Sequence, residues 1–384
     1  MNSGQLRIAI ACSGLGHVHR GIEAWAEDLA RGLFEAGADV RLFRGAGPPE
    51  PWAEVIPTLR RNDRVTRRLH RFLRLARGWR YGCGSPYEIE QTTFSLGLWR
   101  KIRRDFDVLH VQDTVIASHL TRLHRYGLSK PKVVVGNGMG ESPTNQRRYV
   151  YVQNLTPAQF DAWQPLAAPG QQAFLVPNFV DTDRFHPCDR RRSRDLWKVP
   201  DDSFVVLAVA ALRSRYKRID YLIKEFAAVA ERLGRPALLV LAGGREPETD
   251  QILALAKSTL GDKVRCLEDV DRGQIHTLYP VADVFTIPAL NEVFGIAFLE
   301  AMACGIPTVA HNSETMQWVC GPPGFYGDLG KEGGLAEILA GIAKDQTRLA
   351  RAGEAARLYV QEKFSKQTVI PQMIQLYTSV KAHA

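Results

Sequence analysis

Short apolar runs alternate with stretches of helical periodicity along the whole chain, and the alternation halts once and then restarts. It opens with LRIAIAC (6–12), apolar on both faces and too short for a helix, as expected of a strand buried in a parallel sheet. A glycine-bearing turn, SGLGHVHRG, leads into a helix predicted over 22–35, in which Ala24, Leu29 and Leu33 share one face and Gly37 supplies the stop. ADVRLF, DVLHVQD (107–113) and KVVVGNG are the next buried strands, with a helix predicted over 114–126. Further strands are expected at 149–152 and 173–176. At PNFVDTDRFHPCD (177–189) two prolines and several turn formers, without periodicity, mark a linker. SFVVLAVA then restarts the pattern, followed by a helix over 220–233, PALLVLAGG, a helix over 250–260, KVRCL, a helix over 274–279, DVFTIP, a helix over 296–303 and PTVAH. A last helix is predicted over 368–381.

Strands joined by helices in this way predict α/β architecture with parallel sheets. The 384 residues fit two such domains. We place an N-terminal Rossmann-like domain at 1–180, a C-terminal one at 181–362, and a final helix at 363–384 that packs back toward the first. Doubly wound sheets bind ligands beyond the C-terminal ends of their strands, and two in tandem are expected to face a central cleft.

Several classes are disfavoured early. No apolar run approaches the ~18 to 20 residues of a membrane span, and the N-terminus lacks the charged and apolar regions of a signal peptide. The six cysteines (Cys12, Cys83, Cys188, Cys266, Cys304, Cys320) are scattered and several lie in apolar runs, the pattern of reduced core thiols rather than of a metal site. The expectation is a cytoplasmic protein. Its net charge of +9 is uneven: residues 60–80, RRNDRVTRRLHRFLRLARGWR, hold nine arginines against the single Asp63. Val65, Leu69, Phe72, Leu73, Ala76 and Trp79 recur there at helical spacing. Such a helix suits an anionic membrane surface or acceptor; the alternatives are a core helix with a solvated basic face, or nucleic acid, which the lack of an aromatic stacking platform argues against.

The strongest chemical signal is PALNEVFGIAFLEAMACGIPTVA, 288–310. A buried strand ends at Pro288, a loop carries Glu292, and Gly295 opens a helix bearing Glu300. The first N–H groups of such a helix suit a diphosphate, and glycine permits close approach. Glu300 lies in an apolar helix where a lone carboxylate is costly. A ribose diol would satisfy it, and so would an arginine inside the domain; spacing alone does not choose. This stretch closely resembles the signature of retaining glycosyltransferase family 4, of the GT-B fold: a glutamate, seven residues, and a second glutamate that opens E-A-M-A-C-G-x-P. ADVFTIPALNE, VLAGGREPE and PNFVDTDRF resemble the family in the expected order. The resemblance implies a hexosyltransferase that uses a nucleotide-diphosphate sugar, UDP or GDP favoured, with retention. It implies donor contacts from Glu292, Phe294, Gly295, Ile296 and Glu300, with Glu292 on the sugar hydroxyls.

In ALRSRYKRIDYLI, Arg213 and Lys217 stand four residues apart at a strand-to-helix turn, where two cations can neutralise a departing diphosphate. The family places an arginine and a lysine at this spacing; Arg215 and Arg218 are read as surface. Gly14 and Gly16 form a lone G-x-G, a weak dinucleotide signal, and ADVRLFRGAG lacks the acidic residue that a dehydrogenase wants. In the resembling transferases such glycines approach the donor's distal phosphate and sugar. His17 and His19 are candidates for the acceptor side, as is His110; His119 falls inside a helix and reads as structural. One departure stands out: where the family commonly carries a histidine after KVVVGNG, this chain has Asn137, which can hydrogen-bond a sugar but cannot act as a base. No metal is expected: the D-x-D pairs 105/107, 181/183 and 269/271 read as turns or chance, and the arginine, lysine and helix dipole can do that work. No cofactor beyond the donor is implied. The partners are a nucleotide sugar and a glycan, glycolipid or small-molecule acceptor, at the inner face of the membrane if the basic helix docks there. A catalytically silent nucleotide-sugar or glycolipid binder and a sugar-nucleotide epimerase of similar fold remain as alternatives.

Overall fold

A computed structural model describes residues 6–18, 20–48, 50–75 and 77–383; His19, Ala76 and the tail before Leu6 lie outside the described residues. The chain forms two compact units, one of residues up to Pro177 together with those from Val369 on, the other of Asn178–Thr368. The first unit holds β1 (Arg7–Cys12), α1 (Gly21–Glu35), β2 (Asp39–Arg44), β3 (Ala53–Val55), α2 (Arg64–Leu75), α3 (Pro86–Ile102), β4 (Val108–Val111), α4 (Thr114–Arg125), β5 (Lys132–Gly136), α5 (Pro143–Gln146), β6 (Tyr151–Asn154), α6 (Pro157–Trp163) and β7 (Gln172–Leu175). Its parallel sheet runs β3-β2-β1-β4-β5-β6-β7. The order reverses between β1 and β4, which makes the C-terminal ends of these two strands the switch point.

The second unit repeats the plan with α7 (Arg190–Trp197), β8 (Phe204–Val209), α8 (Ile219–Ala230), β9 (Ala237–Gly243), α9 (Thr249–Leu260), β10 (Val264–Glu268), β11 (Val284–Thr286), α10 (Ile296–Ala303), β12 (Thr308–His311), α11 (Glu314–Cys320), β13 (Phe325–Gly327), α12 (Gly334–Ile342) and α13 (Gln346–Phe364). The sheet order is β10-β9-β8-β11-β12-β13, again parallel, with its switch point between β8 and β11. Buried residues of β8, α8, β9 and α12 form one continuous core, which is why SFVVLAVA and PALLVLAGG are apolar throughout. Arg194 of α7 is nearly fully buried and donates to the carbonyls of Val281, Pro200 and Asp201 and to Asp283 Oδ2, 3.2 Å away. Asp283 also accepts the Val205 N–H at 2.8 Å, so this pair ties together the starts of the two central strands.

The last helix, α14 (Lys366–Ala382), carries Pro371 inside it, and its later turns belong to the first unit. Tyr377 reaches His110 Nδ1 at 2.7 Å, and Lys132 Nζ donates to the carbonyls of Val380 and Lys381 at 3.2 and 3.3 Å. A cation there meets the negative end of the helix.

The helix expected over 274–279 is instead two 3-10 turns, Ile275–Thr277 and Tyr279–Val281, because Pro280 removes the N–H that a continuing helix needs. The periodicity missed α3 altogether. Among the described residues no helix is long and apolar enough to cross a membrane.

Candidate functional site

The second unit gathers most of the expected donor-side residues at its switch point. β8 ends at Val209 and its loop runs to α8; β11 ends at Thr286 and its loop runs to α10. The first loop is held tightly. Gly243 lies so close to it that an added Cβ would sit 1.8 Å from the Ala210 carbonyl oxygen, so only glycine fits. Glu248 Oε2 accepts the Ser214 N–H at 2.9 Å, and Thr249 Oγ1 donates to the Leu212 carbonyl at 3.2 Å. Two non-glycine residues, Tyr216 and Arg218, take positive φ of 69° and 52°. Such strain persists only where the surroundings over-determine it.

This loop presents Arg213 and Lys217. Lys217 Nζ lies 2.6 Å from Glu292 Oε2 across the two loops. Arg213 has no carboxylate partner among the described residues; its guanidinium rests over Tyr216, 5.5 Å from the ring centre, and its buried Nε is without a hydrogen bond. Arg218, expected at the surface, is half-buried and ties the two loops by donating to the carbonyls of Pro288 and Leu329; Arg215 is exposed. Gly295, at φ 82°, caps α10 with no side-chain hydrogen bond, which leaves the helix's first N–H groups for a ligand. Ile296 opens the helix, half-buried. Phe294 is 2% exposed and packs edge-on against Trp318 and Phe364, so its side chain belongs to the core and only its backbone can face a donor.

Glu300 has partners inside the unit. Arg272 Nη1 donates to Oε1 at 3.0 Å and the Tyr279 hydroxyl donates to Oε2. Burial, reinforced by Glu300, pushes the Tyr279 pKa far up, so this hydroxyl keeps its proton as a donor. Of the two partners the sequence allowed for Glu300, the arginine is present. Each carboxylate oxygen has a further lone pair with which it can also accept from a diol.

In the first unit the switch point is filled by the protein itself. An added Cβ on Gly16 (φ 94°) would lie 2.1 Å from the Ala46 carbonyl oxygen, and one on Gly14 would lie 2.4 Å from Glu23 Oε1. Internal packing thus requires glycine at 16, where the neighbour is backbone, whereas at 14 the neighbours are the mobile ends of Glu23 and Arg61. Asp113, at the end of β4, accepts from Ser13 N and Oγ at 2.9 and 2.8 Å and from the Tyr87 hydroxyl at 2.6 Å. Beside it, Glu90 of α3 binds the Arg61 N–H and guanidinium, with His17 Nε2 at 3.1 Å. Burial raises the Glu90 pKa, but the hydrogen bonds from His17 and Arg61 outweigh it and hold it at about 2.

These contacts correct the expected acceptor side. His17 is turned inward against Glu90, and His110 is fully buried on β4 between Trp25 and Tyr377. Both rings are turned into the protein. His19 lies outside the described residues. Asn137 is also spoken for: its Oδ1 accepts the Glu141 N–H at 2.8 Å and its Nδ2 donates to the Glu141 carbonyl at 3.4 Å, closing the loop after β5. The D-x-D aspartates hold turns and ion pairs, among them Asp107 with Lys130 and Asp181 with Lys366. Reading the sequence missed Arg61, Tyr87, Glu90, Glu248 and Arg272. Only Asp113, a carboxylate closing a buried strand, left a visible signal.

Residues 189–359, most of the second unit, match the family glycosyl transferases group 1. The N-acetyl-alpha-D-glucosaminyl L-malate synthase of Bacillus anthracis is 26% identical over 56% of this chain and 56% of its own. This and the other first relatives are spanned over only 35 to 56% of their length. The MMP alpha-(1->4)-mannosyltransferase of Mycolicibacterium hassiacum is 25% identical over 95% of this chain and 94% of its own. In fold, the chain is similar to sucrose-phosphate synthase of Thermosynechococcus elongatus, with a TM-score of 0.80 at 19% identity over 99% of this chain and 100% of that one. It is also similar to Anabaena Alr3699/HepE in complex with UDP-glucose, with a TM-score of 0.73 at 17% identity over 98% and 100%. The chain thus folds as two Rossmann-like parallel sheets of the GT-B kind, and most of its second unit matches the glycosyl transferases group 1 family.

Proposed function

We propose that the chain is a retaining hexosyltransferase that moves a sugar from a nucleoside-diphosphate donor, UDP or GDP favoured, to a hydroxyl acceptor without a catalytic metal. The observation that carries the reading is Arg213. It is a half-buried guanidinium without a carboxylate partner among the described residues, on a strained loop beside Lys217 and near the open N-terminus of α10. A cation held in that way is ready for an anion from outside the chain.

The diphosphate would lie against Arg213, Lys217 and the N–H groups at Gly295 and Ile296. Glu300, fixed by Arg272 and Tyr279, would accept the ribose hydroxyls, and Glu292, fixed by Lys217, would orient the sugar. As the bond from the anomeric carbon to the phosphate oxygen breaks, negative charge gathers on the diphosphate, where Arg213 and Lys217 stabilise it. The acceptor oxygen then bonds to the anomeric carbon on the same face and its proton passes to the departing phosphate oxygen. The likeness in fold to Anabaena Alr3699/HepE, whose structure holds UDP-glucose, supports a nucleotide-sugar donor.

A thermal-shift panel of UDP, GDP, ADP and TDP with their sugars tests the reading on wild type, Arg213→Ala and Glu300→Gln. Ligand at a hundred times its dissociation constant adds about 2.7 kcal/mol. A shift for one base, lost in Arg213→Ala, is the expected outcome; a shift kept in full by that variant removes Arg213 from the donor site. Transfer is expected to survive chelation. The engaged amide of Asn137 favours a second reading, a donor binder without turnover. Product analysis by NMR separates the two, and a donor altered with no acceptor present would point to an epimerase.

A further inference from the structure

Helix α2, the 3-10 turn after it (Gly78–Tyr81) and the residue that caps that turn carry Arg64, Arg67, Arg68, Arg71, Arg74, Arg80 and Arg77. Arg61, just before them, is committed to Glu90, whereas none of these seven makes an ion pair among the described residues. Like charges at i, i+3 and i, i+4 repel, so the face is unfavourable for the isolated helix. The fold does not need it. The helix is seated by its opposite side: Thr66 is buried, Leu69, His70 and Leu73 are partly covered, and His70 Nε2 lies 2.9 Å from the Gly84 carbonyl oxygen.

Large apolar side chains stand among the arginines instead of beneath them. Val65, Phe72 and Leu75 are 62, 69 and 82% exposed, and Trp79 and Tyr81 follow at 62 and 73%. At about 100° per residue, Val65, Phe72 and Leu75 fall within about 80° of arc, with Arg68 inside that arc and Arg71 beside it. We infer that α2 and its following turn dock on an anionic lipid bilayer. The guanidinium groups would meet the phosphate headgroups while Val65, Phe72, Leu75 and Trp79 enter the acyl boundary. A partner matched to this face must offer negative charge and, one side-chain length deeper, an apolar medium. A bilayer offers both. A nucleic acid would use the arginines but leave Val65 and Leu75 without a counterpart. This face is on the first unit and the donor-side residues are on the second, and the inference does not depend on which sugar is transferred.

The test is co-sedimentation of the full chain with vesicles of phosphatidylcholine alone, or with about 30% phosphatidylglycerol, at about 50 and 500 mM salt. Two variants accompany it: Arg67→Gln/Arg68→Gln/Arg71→Gln and Phe72→Ser/Leu75→Ser. Both alter exposed positions, and their melting midpoints should match wild type. Binding is expected only to anionic vesicles and only at low salt, weakened about fivefold per arginine removed and thus about a hundredfold in the triple variant. The apolar variant should lose tenfold or more. No binding to anionic vesicles at low salt, or equal binding to neutral ones, overturns the inference. So does wild-type affinity in the Phe72→Ser/Leu75→Ser variant, which would make the face purely electrostatic. Binding of single-stranded RNA, lost in the triple variant while vesicles are ignored, would reassign the face to nucleic acid.

Discussion

His110 lies fully buried on β4, with Nδ1 2.7 Å from the Tyr377 hydroxyl and its ring edge-on to Trp25 at 4.9 Å between centres. Burial lowers its pKa more than the neighbouring Gln153 amide raises it, and holds it at about 3. In the unfolded chain the ring titrates at about 6.5. As pH falls through that value the unfolded state takes up a proton that the folded state refuses, so stability present above it is progressively lost. At about pH 5 the loss is RT times the logarithm of (1 + 10^1.5)/(1 + 10^−2), about 2 kcal/mol. Any folded value below about 4 gives the same figure, because the folded ring is neutral at pH 5 in either case. Glu90 and Asp107, both held at about 2, add their own loss mainly below that window, where unfolded carboxylates protonate. The assay is urea unfolding of wild type and His110→Gln at about pH 7.5 and 5, followed by circular dichroism and by tryptophan fluorescence. The gap between the two proteins should close by about 2 kcal/mol, through loss by the wild type. An unchanged gap, or a folded-state NMR titration of His110 centred near 6.5, would refute the reasoning.

Gly16→Ala should cost more than about 2 kcal/mol, since the added methyl meets the Ala46 carbonyl at a positive φ, while Gly37→Ala, in open space at φ 80°, should cost about 1 kcal/mol; thermal melts compare them. Arg194→Met removes the donor to the Val281, Pro200 and Asp201 carbonyls and one of the donors to Asp283, which keeps Arg190 and the Val205 N–H, and should cost at least about 2 kcal/mol in denaturant unfolding. Lys217→Met should lower turnover about a hundredfold if this lysine stabilises the departing diphosphate; a fall confined to KM would make it a binding group only.

Both sheets were legible from the sequence because parallel strands buried on two faces are continuously apolar, as RIAIAC and ALLVLAG are. Helix α3 was not, since its inner face carries Glu90, Gln91 and Ser95 among Ile89, Phe94 and Leu98, and buried polar residues erase the apolar stripe. The same residue accounts for the misread histidine: Glu90 draws His17 inward, a pairing across 73 positions that no local pattern encodes. Arg213, Lys217, Glu292 and Gly295 could be singled out because each lies in a segment that runs from the end of a strand to the start of a helix. Arg272, the partner of Glu300, lies in an aperiodic turn and was not.

Unit 2 is one continuous stretch, whereas unit 1 is completed only by residues from Val369 on, which bring Tyr377 to His110 and the end of α14 to Lys132. A ribosome must therefore make all of unit 2 before the last segment of unit 1 exists. Domains usually fold in the order of synthesis, but here the second can close while the first still waits, with the His110 side of its sheet uncovered. That interval is when a nascent chain of this kind is most exposed to misassociation, and when a holding chaperone would find it.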